Sequence, residues 1–243
     1  MSHSPELARR RPRRGPGLRA WLAVEWLASA GALVALSPLL ALLWLWIRLD
    51  SPGPALFRQE RLGRQARPFT TLKFRSMYTG GEEGVPQHRR KVVESDRDPR
   101  ITRAGRFLRR TSLDELPQLW NVVRGHMNLV GPRPVLPEQR AAIPEWGEVR
   151  FQVHPGLTGL AQVKGRRSLD WMTKLRWDRY FVRKDSVRLR LWIVCRTFVV
   201  LVRPETVYGD AGKNWRAYLP PESDSGTEKR NSSPCPRGRP VSH

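Results

Sequence analysis

The 243-residue sequence is poor in acid: 22 Asp and Glu stand against 44 Lys and Arg, for a net charge of +22. A chain this basic meets something anionic, whether nucleic acid, a phosphorylated small molecule or a lipid headgroup. Part of the excess is general arginine-rich composition, but arginines also cluster where other signals lie. Cysteine is scarcer still. Cys195 lies in an apolar stretch and Cys235 in a polar tail, which argues against a disulfide framework and fits a reducing compartment. The five histidines are scattered and form no zinc-spaced pair with cysteine. HExxH, GxxxxGKS/T and GxGxxG are absent, so zinc hydrolase, P-loop NTPase and dinucleotide-binding functions lack their motifs.

Long hydrophobic runs are also few, and the main one opens the chain. Residues 1–19 form a basic arm, with Arg9, Arg10, Arg11, Arg13, Arg14 and Arg19 interrupted by Pro and Gly, a composition that predicts disorder. From Trp21 to Ile47 the only formal charge is Glu25. The run is too long for a signal-peptide core and long enough for a transmembrane helix. Pro38 interrupts it, removing a backbone donor and clashing with the carbonyl of Val34, while Ser37 offers a hydroxyl to a freed carbonyl. Both flanks are basic, the arm on one side and Arg48, Arg58, Arg61, Arg64 and Arg67 on the other. The positive-inside tendency draws both ends to one face. Two arrangements remain: a helix-break-helix over 20–49 that enters and leaves one leaflet, or a kinked spanning helix. Trp21, Trp26, Trp44 and Trp46 suit the headgroup level in either.

Asp50-Ser51-Pro52-Gly53-Pro54 breaks the run and marks the exit from the membrane. Ala55–Leu62 and Pro68–Met77 read as a β-hairpin around Gly63-Arg64-Gln65. Alternation in the second strand sets Leu72 and Phe74 on one face and Lys73 and Arg75 on the other. Those two cations suit a phosphate contact, or simply a solvated basic face. Residues 79–95 predict a Gly-rich charged loop, and Asp96–Arg100 a turn. Helices are expected from Leu169 to Val182 and from Ser186 to Val202. The latter carries Arg188, Arg190 and Arg196 as cationic edges and suits a membrane interface or a core position. Past Leu219 the composition predicts a disordered tail over 219–243.

The densest chemistry lies in Arg109-Arg110-Thr111-Ser112-Leu113-Asp114-Glu115-Leu116-Pro117-Gln118-Leu119-Trp120-Asn121, followed by Gly131-Pro132-Arg133-Pro134. Leu113, Leu116, Trp120 and Val123 recur at helical spacing. Ser112 with Glu115 matches a capping box, but Pro117 would then fall beyond the free donors of the first turn. A start at Leu113 or Asp114 puts Pro117 in the first turn instead. The carboxylate pair then sits at a helix N-terminus, where a phosphate shares the same field. Asp114 acting only as a helix cap is the alternative.

Several ordered motifs resemble one family, the bacterial sugar transferases of the monotopic phosphoglycosyl transferase type (polyprenyl-phosphate sugar-1-phosphate transferases). They are Ser37-Pro38, Asp50–Pro54, Lys73-Phe74-Arg75-Ser76-Met77, Asp98-Pro99-Arg100-Ile101-Thr102, Thr111–Asn121, Leu129–Pro134, Pro155-Gly156-Leu157-Thr158-Gly159 and Gly165-Arg166. The resemblance covers Ser37 to Val202, and the short chain is similar to the minimal catalytic form without a multi-helix N-terminal extension. It implies an α+β, mainly helical fold with a re-entrant membrane helix-break-helix, a small β-hairpin and amphipathic interfacial helices. A cytoplasmic catalytic domain over 50–218 on the bacterial inner membrane is expected. Asp114 is the implied nucleophile on the β-phosphorus of a UDP-sugar and the implied Mg²⁺ ligand, with Glu115 as its partner. Lys73, Arg75, Arg109, Pro132, Arg133, Arg166 and Asp178 are the implied substrate- and phosphate-binding set. The acceptor is a polyprenyl phosphate, and inner-membrane lipids surround the site.

The sequence departs from the family pattern at Gly125-His126-Met127-Asn128, at Arg167 and at Asp170. The competing class is a catalytically degenerate, membrane-anchored basic binding protein. That protein would use its arginines on nucleic acid or anionic lipid; for this chain no nucleic-acid partner is expected, since most tryptophans lie in apolar helices rather than in a basic stripe.

Overall fold

The computed structural model describes residues 15–79, 97–165, 168–202 and 215–219. Its apolar run breaks where proline requires. Helix α1 (Pro16–Ala35) and helix α2 (Ser37–Asp50) meet at Leu36. Pro38 cannot donate to the Val34 carbonyl, and Ser37 Oγ takes that carbonyl at 2.7 Å. The break therefore leaves little backbone polarity unmet. The helix starts at Pro16 rather than at residue 20, so part of the expected arm is helical; residues 1–14 lie outside the described residues.

Both halves of this bent element rest on the same body. On α2, Leu43 and Ile47 are buried with Ala55, Phe74, Ala104 and Leu108. On α1, Trp26 Nε1 donates to the Val123 carbonyl at 2.9 Å. Glu25, the lone charge of the run, is buried. It accepts from Trp21 Nε1 at 2.8 Å and Arg190 Nη1 at 2.9 Å, and from the Val130 N–H at 3.4 Å. The bend itself projects: Val34 is 74% exposed and Leu42 65%.

Strands β1 (Leu56–Leu62) and β2 (Pro68–Phe74) form the expected antiparallel hairpin, with Phe57 opposite Lys73 and Arg61 opposite Phe69. Gln65 and Ala66 turn it with positive φ. A second, unexpected sheet pairs β3 (Asn128–Val130) with β4 (Gly156–Thr158) in parallel. Three-residue strands carry too little alternation to be read from sequence. Helices α3 (Arg103–Thr111), α4 (Gln118–Val123), α5 (Leu160–Gly165), α6 (Trp171–Lys184) and α7 (Val187–Val202) complete the body. The expected loop over 79–95 falls almost entirely outside the described residues, as does the tail beyond Leu219.

The core divides into patches. One joins Leu62, Val135, Ile143, Phe151, Trp171, Leu175 and Trp215, so the 3₁₀ turn Trp215–Tyr218 packs on the body. Another joins Val130, Val153, Leu160, Phe181 and Ile193. Asp170, one of the departures, caps α6 by accepting from the Thr173 N–H at 2.9 Å, a structural role that suits its residue type.

One sequence expectation for α7 is corrected here. Arg190 is not a cationic edge but is fully buried, bonded to Asp185 through Nε at 2.6 Å and to Glu25. Leu191, Trp192, Phe198, Leu201 and Val202 are exposed, so α7 keeps an outward apolar face.

Removing one member of a buried ion pair strands the other. Glu25→Leu leaves Arg190 Nη1 with the Val130 carbonyl in place of a carboxylate and should lower unfolding stability by about 3 kcal/mol, read as an earlier chemical-denaturation midpoint in detergent. A midpoint matching the wild type would contradict an anchoring role for Glu25.

Candidate active site

Pro117 shapes the central turn. Helix α3 ends at Thr111, and Ser112 takes a left-handed conformation, φ 58°. Leu113–Glu115 then forms a 3₁₀ turn, and α4 starts only at Gln118. An α-helix from Leu113 would need Pro117 to donate to the Leu113 carbonyl, and it has no N–H. The Leu116 N–H takes that carbonyl instead, at 3.2 Å. The carboxylate pair thus precedes the helix rather than occupying its first turn, which corrects the expected helix start. No side-chain cap by Ser112 forms, so the capping box is absent.

The two carboxylates differ sharply in their surroundings. Glu115 accepts from Lys73 Nζ at 2.9 Å and from both Arg133 Nη groups, Nη1 at 3.1 Å. Burial alone would raise its pKa, but the charges of Arg133 and Lys73 hold it well below the usual range. Asp114 has no hydrogen bond or ion pair among the described residues. Burial, then the neighbouring Glu115 charge, raises it from 3.8 to about 6, against the opposing pull of Lys73, Arg109 and Arg133. One acid is therefore committed to structure and the other stays available, a separation typical of working carboxylate pairs.

Arg133 is held from behind. Its carbonyl accepts from Arg150 Nη2, and Arg150 also pairs with buried Asp178 at 3.2 Å. The Gly131–Pro134 segment docks on β4: the Gly156 N–H donates to the Pro132 carbonyl at 2.9 Å and the Gly131 N–H to the Thr158 carbonyl, also at 2.9 Å. A Cβ on Gly156 would lie 2.0 Å from the Gly131 nitrogen. Only glycine lets the two motif backbones approach this closely.

The expected site set thus divides. Lys73, Arg133, Glu115 and Asp114 converge, with Arg109 at the end of α3 close enough to act on Asp114. Pro132 contributes a carbonyl to the β4 contact. Arg166 lies outside the described residues. Arg75 does not share the site with Lys73. The ladder ends at Phe74, and the buried Arg75 guanidinium donates to the carbonyls of Ile47, Ser51 and Pro52. It closes the C-terminus of α2, whose last carbonyls lack helical partners. Asp178 is likewise taken by Arg150, so it supports Arg133 rather than facing a ligand.

Arg61, Gln118 and Arg150 were not singled out from sequence. Arg61 could have been found by extending the alternation across the hairpin, which sets it on the Lys73 face. For Arg150 no sequence signal pointed inward. His126 packs against Phe69, ring centroids 5.8 Å apart, and Asn128 starts β3.

Among the described residues no cluster of three or more His, Cys, Asp or Glu could hold a metal. The residues fit Mg²⁺ in another way: Mg²⁺ commonly takes one or two carboxylates plus substrate phosphates, and Asp114 is an uncommitted carboxylate.

Residues 19–204 match the bacterial sugar transferase family, and the chain belongs to that family. Among similar proteins, the UDP-glucose:undecaprenyl-phosphate glucose-1-phosphate transferase of Caulobacter vibrioides is 45% identical over 191 residues, covering 74% of this chain and 69% of that protein. The exopolysaccharide production protein PSS of Rhizobium leguminosarum is 42% identical, covering 71% and 90%. The undecaprenyl-phosphate galactose phosphotransferase of Salmonella typhimurium is 36% identical over 186 residues, 72% of this chain. The chain spans only 39% of that last protein's length.

The raised pKa of Asp114 has a stability consequence. Folded Asp114 keeps its proton up to about pH 6, against 3.8 for an ordinary aspartate. The folded state therefore loses stability as pH rises from the lower value through the upper one. Asp114→Asn should stabilise the protein at pH 8 by on the order of 2 kcal/mol, with the gain gone near pH 4. Thermal unfolding at both pH values tests this, and an equal gain at the two would contradict a raised Asp114.

Proposed function

We propose that this protein transfers a sugar-1-phosphate from a UDP-sugar to a membrane polyprenyl phosphate, undecaprenyl phosphate in its bacterial setting, through a phosphosugar carried on Asp114. The observation that carries this reading is the contrast between the two acids. Glu115 is consumed by Lys73 and Arg133, while Asp114 beside it has no hydrogen-bond or ion-pair partner among the described residues and three cations around it.

An Asp114 oxygen attacks the β-phosphorus, the bond from that phosphorus to the nucleotide oxygen breaks, and UMP leaves with the electron pair. In the second half, a polyprenyl phosphate oxygen attacks the same phosphorus and Asp114 departs as carboxylate. Lys73, Arg109 and Arg133 oppose the charge on the transferring group. Glu115 holds Lys73 and Arg133 in register and so positions them. When bound, Mg²⁺ would be held by Asp114 and would offset diphosphate charge. The names of the relatives, which mention glucose, galactose and exopolysaccharide production, support initiation of a surface glycan without selecting the sugar.

The membrane arrangement follows the same reading. Pro16–Ala35 is long and apolar enough to cross a bilayer, yet α1 and α2 are both tied to one body, through Glu25 and through Ile47. An exposed apolar bend between them suits a re-entrant element that dips into one leaflet, with the catalytic domain on the cytoplasmic face of the inner membrane. The alternative of a binding protein without turnover is not favoured by a raised carboxylate that has no ion pair among the described residues.

Two measurements test the proposal. UMP release from a panel of UDP-sugars without lipid should leave a phosphosugar adduct detectable by mass spectrometry, and Asp114→Asn should reduce release at least about 10³-fold. Ordinary release by that variant would refute the covalent scheme. The acid limb of the wild-type pH–rate profile should fall near pH 6, as Asp114 protonates. For topology, single cysteines at the exposed positions Gly17 and Pro54 in a cysteine-free background should both react with an impermeant thiol reagent from the same side of vesicles. Labelling from opposite sides would identify a spanning helix.

A further inference from the structure

A cavity of about 10 Å³ lies where β1, β2, the start of α4 and the Arg133–Pro134 segment meet. That is the room one water oxygen takes. Its walls are Arg61, Thr71, Lys73, Gln118, Arg133 and Pro134. Two of these bring unspent donors. Gln118 is 2% exposed, and its Nε2 has no hydrogen-bond partner among the described residues. A buried amide nitrogen in that state is unfavourable until a ligand or a water meets it. Arg61 has five N–H groups and uses three among the described residues: Nε and Nη2 on Gln59 Oε1, and Nη1 on the Pro134 carbonyl at 3.1 Å.

The cavity also carries surplus positive charge. Arg61, Lys73 and Arg133 face a single committed carboxylate, Glu115. Burial and the Arg133 charge bring the Arg61 guanidinium down to about 9, with Glu115 opposing them. An arrangement of this kind is completed by an anion, and the size of the cavity admits one oxygen of it rather than the whole group.

We propose that this cavity is an oxyanion pocket that takes one non-bridging oxygen of the phosphoryl group attacked by Asp114, with Gln118 Nε2 and a free Arg61 N–H donating to it. The assignment rests on the phosphoryl-transfer reading above. As the Asp114–phosphorus bond forms and the bond to the nucleotide oxygen breaks, charge is spread over the non-bridging oxygens. Donors fixed beforehand in a small, water-poor pocket act most strongly at that stage. Thr71 does not compete for the oxygen as a donor, since its hydroxyl is already bonded to the Gln59 carbonyl at 2.9 Å. The pocket also has a handedness: the two prochiral oxygens of the β-phosphate are not equivalent in it.

That handedness provides the test. Full-length protein in detergent or nanodiscs would be assayed for UMP release with UDP-glucose and UDP-galactose, then with the two diastereomers carrying sulfur at a non-bridging β-phosphate position. The wild type should prefer one diastereomer at least tenfold. Gln118→Leu should reduce kcat for the oxygen substrate about 10²-fold, with KM changed less than threefold, and should bring the diastereomer ratio towards one. Arg61→Gln should act in the same direction, and Arg61→Lys should restore part of the preference. If Gln118→Leu does not fold, Gln118→Met and the Arg61 pair carry the same comparison. A diastereomer ratio equal to that of the wild type in folded variants overturns the pocket, as does an unchanged kcat. No UMP from the wild type with any UDP-sugar overturns the underlying reading instead, so the two failures are distinct.

Discussion

Glu115 sits between Lys73 from the hairpin and Arg133 from the Gly-Pro-Arg-Pro segment, and this three-part ion pair holds the site together. Each partner arrives from a different part of the chain. The hairpin meets the segment before the Pro137–Ala142 turn through the backbone as well, the Leu62 N–H donating to the Val135 carbonyl at 2.8 Å, and the carboxylate joins the 3₁₀ turn to both. Partial burial, with the Glu115 side chain 21% exposed, keeps the pair less screened than a surface bridge. The same pairing leaves Asp114 as the adjacent acid with no ion pair among the described residues, under the longer-range pull of Lys73, Arg109 and Arg133. Chemical asymmetry between two neighbouring carboxylates thus comes from environment rather than from residue type.

Outer layers keep that junction in place. Gly131 and Gly156 allow two turn-rich motifs to press backbone against backbone, and Arg150 fixes the Arg133 carbonyl while drawing its own counter-charge from Asp178. Beneath them, Glu25 links α1 to β3 and to Arg190 of α7. A charge in an apolar run is costly unless paired, and here its pairing docks the bent helix on the rest of the fold. Arg75 does the equivalent at the other end by closing α2. The bent apolar element and the site are therefore connected by buried polar contacts at both of its ends.

Much of the local architecture was legible beforehand. The break at Ser37-Pro38 appears as expected, down to the Ser37–Val34 hydrogen bond. The hairpin and the last two long helices fall within a few residues of their expected bounds. The misses share a cause. Arg75 follows the parity of Lys73, but parity has no meaning once the ladder ends. Arg190 carries the charge of an edge residue, yet a glutamate far away in sequence pulls it inward. The β3–β4 pair and the Trp215 contact are too short to leave a periodic trace.

What the sequence determined by itself, then, is local: where proline and glycine stop each element, that two acids stand side by side, and that cations outnumber acids throughout. Those follow from bonded geometry and from composition, which act over a few residues. Only the tertiary structure decided which cation meets which acid. It assigned Lys73 and Arg133 to Glu115, Arg75 to a helix end, Arg150 to Asp178 and Arg190 to Glu25. Ion pairing depends on distance in space and on local burial, and neither is written in residue spacing.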